Sequence, residues 1–70
     1  MTIEQTLERA VLALGGIWNT ARAVTALRDA GVQAAGQRAR EKQAREAMRK
    51  LCARGVLVKL RDRPVEYRAA

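Results

Sequence analysis

Four cations recur at helical spacing in the middle of the chain: Arg38, Lys42, Arg45 and Arg49. At about 100° per residue they fall within ~60° of one another on a helix. Their chemistry is anion recognition. A guanidinium matches the O6 and N7 acceptors of guanine as a bidentate pair, and both Arg and Lys neutralise phosphate. Arg38, Lys42 and Arg45, nearer the N-terminal half, are expected to approach bases; Arg49 and its neighbour Lys50 are expected to meet phosphates. A second cationic group, Lys59, Arg61, Arg63 and Arg68, follows near the end of the chain. Arg61 and Arg63 flank a turn there, in position for a phosphate backbone or a minor groove. Thr20 and Arg22, where another helix should begin, add a candidate phosphate anchor.

The plain alternative is a solvated helix face. Glu41–Arg45 and Glu46–Lys50 have the i, i+4 order that stabilises a helix by about 0.2–0.5 kcal/mol per pair. Charged hairpin tips likewise protect strand edges. Yet only Glu41 and Glu46 stand against the Arg and Lys residues between 38 and 54. The net charge of +7 is also uneven. Arg9, Arg22 and Arg28 are balanced by Glu4, Glu8 and Asp29, so the whole excess lies beyond residue 36. Such asymmetry points to a polyanionic partner, nucleic acid before an acidic membrane surface.

Other chemistries find little support. There is no His and no Ser, and the carboxylates are scattered along charged helical faces. No zinc-ligand set or phosphate-cradling loop appears, because Gly15-Gly16 lacks the partners such loops need. No enzyme activity, cofactor or metal is expected. Trp18 and Tyr67 are the only aromatics, too few for a base-stacking surface, and are expected in the core. Cys52 is the single cysteine, which excludes an internal disulfide and fits a reducing, cytoplasmic and nucleoid-associated location. The acidic, interrupted start MTIEQTLERAVLAL does not read as a signal peptide, and no segment approaches the ~20 apolar residues of a membrane span.

The elements that must carry these residues follow from caps and periodicity. Seventy residues imply one domain with a thin core, since a chain this short buries only ~60% of its unfolded surface and 14 of its residues are Ala. A dimer, partner or ligand is therefore expected to add stability. Thr2-Ile3-Glu4-Gln5 is a capping box opening a helix over 3–14, with Ile3, Leu7, Ala10, Val11 and Leu14 on one face and Leu12 on another. Ile17-Trp18-Asn19 reads as a short strand. Asn19 or Thr20 caps a helix over 20–30 whose buried face is Ala21, Val24 and Leu27, with Ala23, Ala26 and Ala30 allowing close approach. After a loose connection at 33–37, a third helix spans 37–54, burying Ala44, Ala47, Met48 and Leu51. Gly55 ends it, and a hairpin spans 56–69. In its first strand Val56, Val58 and Leu60 share one face and Leu57 the other. Pro64 suits a strand start or an edge strand.

The stretch Ala44-x-x-Ala47-Met48-x-x-Leu51-x-x-x-Gly55-Val56-Leu57 resembles the end of the recognition helix in the winged helix-turn-helix superfamily. Arg63-Pro64-Val65-Glu66-Tyr67-Arg68 resembles its return strand. The winged helices that bind Z-form nucleic acid share this pattern, but their readout uses an Asn and a Tyr where this chain has Arg45 and Arg49, so that specificity is not implied. The resemblance implies a mainly helical α+β fold, with three helices and a small antiparallel sheet ending in a wing. The function it implies is double-stranded DNA binding as a small transcriptional regulator, on repeated sites or as a homodimer. An excisionase-like architectural factor of a phage or mobile element, or a winged helix docking an acidic protein, are the alternatives.

Overall fold

In a computed structural model covering residues 1–70, the chain runs α1 (Ile3–Leu14), β1 (Ile17–Asn19), α2 (Thr20–Asp29), α3 (Gln37–Ala53), β2 (Leu57–Asp62) and β3 (Val65–Ala69). This is a mainly helical α+β arrangement with an antiparallel three-stranded sheet, compatible with a winged-helix topology.

Local chemistry sets each helix start. The Thr2 hydroxyl accepts from the Gln5 N–H at 3.1 Å, and Gln5 Oε1 accepts from the Thr2 N–H at 3.0 Å, completing the expected capping box. Asn19 caps α2, its Oδ1 accepting from the Arg22 N–H at 2.8 Å. Thr20 is thus the first helical residue.

Two helices end in the same way. After α2, the Gly31 N–H donates to Arg28 O and the Val32 N–H to Leu27 O. After α3, the Gly55 N–H donates to Cys52 O and the Val56 N–H to Leu51 O. Both are Schellman motifs, which need a left-handed residue. Gly31 and Gly55 supply it at φ 88° and 82°. The second motif turns the chain from α3 straight into β2.

The core contains Leu7 and Val11 of α1; Ala23, Val24 and Leu27 of α2; and Ala44, Ala47, Met48 and Leu51 of α3. The sheet adds Trp18, Leu57 and Tyr67. Strand order is β1-β3-β2, with Trp18 opposite Tyr67 and Tyr67 opposite Lys59. Leu57 is buried at one end of this inner face, and Ile17, Arg68 and Val58 form a row on the outer face.

Several expectations are corrected. Leu14 is 65% exposed, because α1 outruns the core at its C-terminal end. Ala21 is exposed in the first turn of α2, and Ala23 takes its place beside Val24 and Leu27. Of the two apolar faces of the first hairpin strand, the Leu57 side is the buried one, and Val58 and Leu60 are 37% and 47% exposed on the outer face. The Gly55 turn decides this by giving the Val56 N–H to Leu51 O, which leaves Leu57 as the first strand residue facing the helices. A bulge between Lys59 and Arg61 then interrupts the pairing around Leu60. Pro64 sits in the turn with Arg63, just ahead of β3, and β3 is the central strand.

Gly55→Ala forces a side chain into the left-handed region at a helix end. It should lower stability by about 1–2 kcal/mol in urea denaturation followed by circular dichroism.

Candidate nucleic-acid interface

Helix α3 is amphipathic in a specific sense. Its buried face is Ala44, Ala47, Met48 and Leu51, so small residues let it lie close to its neighbours. The opposite side carries Arg38, Lys42, Arg45 and Arg49, all exposed. Lys50 is exposed too, but about 100° round the helix from that row, so four of the five helical cations singled out from the sequence share one side.

None of them has an acidic partner. The ion pairs are Arg54 with Glu4 and Glu8, Lys59 with Asp62, and Arg61 with Glu66. The Glu41–Arg45 and Glu46–Lys50 pairs that the i, i+4 order allows are not formed. Glu41 instead accepts from Gln37 Nε2 at 3.2 Å. The start of α3 adds to the positive field: Gly36 offers no capping side chain and the first turn holds no acid. Arg38 therefore stands at the positive end of the helix dipole.

The carboxylates of α1 are engaged elsewhere. Arg54 Nη1 reaches Glu4 at 2.6 Å, and its two terminal nitrogens reach Glu8 at 2.9 and 3.2 Å. The hydrogen bond to Glu8, then that to Glu4, raises the Arg54 pKa, so this side chain stays cationic and fastened to α1. It closes the C-terminal end of α3 against α1 and leaves the cationic stripe without those acids. Glu4 and Glu8 share one face of α1 at i, i+4 spacing, which is a sequence signal for a cation, but not for which one.

The hairpin is less cationic than its composition. Lys59 is bonded to Asp62, which raises its pKa, and Arg61 Nε lies 3.5 Å from Glu66. Arg63, exposed in the turn, has no such partner. Of the two residues flanking the turn, Arg63 alone offers a free charge there.

Arg22 is placed differently from the expected phosphate anchor. Its guanidinium lies 4.0 Å from the centre of the Trp18 ring and donates to Gly15 O at 3.0 Å and Ile17 O at 2.7 Å. Trp18 Nε1 donates to the same Gly15 carbonyl at 3.0 Å. Arg22 thus pins the α1–β1 turn, and the half-buried Thr20 does not join the α3 surface. The sequence showed Arg22 four residues after Trp18, but not that the chain entering β1 would aim the carbonyls of Gly15 and Ile17 at it.

Between α3 and β3 lies a groove of about 210 Å³ lined by Arg45, Met48, Arg49, Val65 and Tyr67. A larger one, about 490 Å³, separates α1 from α2 and includes no residue of α3 or the hairpin. No cluster of His, Cys, Asp or Glu is arranged to hold a metal ion, and no helix is long and apolar enough to cross a membrane. No protein-family model, curated protein or solved structure matches the chain.

Arg22→Ala removes a stacked cation and two hydrogen bonds from the turn. It should lower stability by about 1–3 kcal/mol and shift the emission of Trp18, the only tryptophan, in a fluorescence-detected melt.

Proposed function

We propose that this chain is a winged-helix protein that binds double-stranded DNA, acting as a small transcriptional regulator. Helix α3 enters the major groove, and the β2–β3 hairpin serves as the wing. The observation that supports this most is the row Arg38, Lys42, Arg45 and Arg49, exposed and without a carboxylate partner on the outward side of a helix whose other side is core. Like charges this close repel one another, and a phosphate backbone relieves that repulsion by releasing its counterions. A solvated helix face would gain from the Glu41–Arg45 and Glu46–Lys50 pairs, which the structure does not form.

The wing contributes less than its cation count suggests. Lys59 and Arg61 are held by Asp62 and Glu66, so Arg63 is the turn residue left to meet a phosphate. In this reading α3 carries most of the contact, and Arg22 and Thr20 support the scaffold.

The test is a titration of labelled random-sequence duplex at 50 and 200 mM salt, followed by fluorescence anisotropy. Neutralising about four phosphates should make the affinity fall roughly 100-fold between the two conditions. Absence of duplex binding at the lower salt concentration would reject the reading in favour of an acidic protein partner.

A further inference from the structure

The groove between α3 and β3 has a composition that the stripe alone does not explain. Its rim is Arg45 and Arg49, one helical turn apart, and Met48, Val65 and Tyr67 supply its apolar lining. Neither guanidinium has a carboxylate to satisfy it. A ligand matching this arrangement is anionic at one point and carries C–H surface next to the charge. Val65 has no polar side-chain atom and the Met48 thioether is only a weak acceptor, so apart from the two guanidiniums the Tyr67 hydroxyl is the one strong hydrogen-bonding group of the lining, which offers little for reading a base edge.

Building on the DNA-binding reading above, we propose that this groove seats one sugar-phosphate unit of a DNA strand. Arg45 and Arg49 straddle the phosphate, and the sugar packs against Met48 and Val65. Charge complementarity selects the occupant: two unpaired guanidiniums form a bidentate seat for phosphate, and Arg is suited to it by its planar fork. The proposal reassigns Arg45 from the bases to the backbone. Arg38 and Lys42 do not line the groove and remain the base-facing pair. The groove thereby sets how α3 is registered on the duplex, since a strand held at Arg45 and Arg49 leaves only the N-terminal turns of the helix over the base edges.

The experiment compares the wild-type chain with R45Q/R49Q, R38Q/K42Q and V65F on a panel of duplexes over a range of salt. R45Q/R49Q should weaken every duplex by a similar factor, on the order of tenfold or more, and reduce the slope of log affinity against log salt by about one, the share of the single phosphate seated there. R38Q/K42Q should alter the ranking of the duplexes. V65F fills the groove without changing charge and should lose roughly tenfold in affinity with its melting temperature retained. If V65F does not fold, the slope of R45Q/R49Q decides alone. An R45Q/R49Q variant that changes duplex ranking while keeping the salt slope overturns the groove assignment, as does a folded V65F that binds like wild type; DNA binding survives both results. Failure of the wild-type chain to bind any duplex removes the DNA-binding reading, and the groove assignment with it.

Discussion

The structure depends on how an alanine-rich set of helices acquires enough large apolar surface to close. Ala23, Ala44 and Ala47 occupy buried helical positions, and they contribute proximity more than volume. Much of the missing bulk comes from the sheet. Trp18, fully buried on a three-residue strand, is the largest of these side chains, and Tyr67 and Leu57 stand with it on the inner face. A two-stranded hairpin is marginal in water. Here it is held because β1 pairs with β3 and because the Gly55 turn delivers β2 directly from α3. Burying an indole also requires a partner for its N–H, and Gly15 O supplies it. Arg22 then packs across the ring and shares that carbonyl. The turn between α1 and β1 is therefore, with the Gly55 turn, one of the points where sheet and helices are joined.

The acids are placed to fasten the scaffold, and this shapes the surface. Glu4 and Glu8 hold Arg54, Asp62 holds Lys59, and Glu66 neighbours Arg61. Each exposed pair adds little stability by itself. Their larger consequence is electrostatic: the outward side of α3 keeps its positive charge, while much of the hairpin is locally neutralised. A short chain with a net charge of +7 thereby concentrates its field along one helix.

Much of the fold was legible in the residues. The α1 capping box and the Gly-terminated ends of α2 and α3 follow from interactions within a few positions, and the spans of β1 and β3 from residue type, although those two strands pair with each other across about 50 residues. So does the gathering of Arg38, Lys42, Arg45 and Arg49 on one side of α3, since helical geometry alone produces it. The faces of β2 were not legible, because Val56, Leu57, Val58 and Leu60 are all apolar and a strand with apolar residues on both sides has no preferred parity. The exposure of Leu14 was equally hidden, because periodicity states which face a residue is on and not where the core ends.

What the sequence determined by itself is therefore local: where helices start and stop, and which side chains share a helical face. Tertiary structure decided which long charged side chains are free. Arg54 finds Glu4 and Glu8 across 50 and 46 residues, and no spacing rule could name that choice. Arg22 finds its carbonyls only seven and five residues away, but through the shape of the turn between α1 and β1, which spacing does not specify. The reach of a guanidinium exceeds the scale on which sequence patterns operate, so its partner is set by which elements pack beside it.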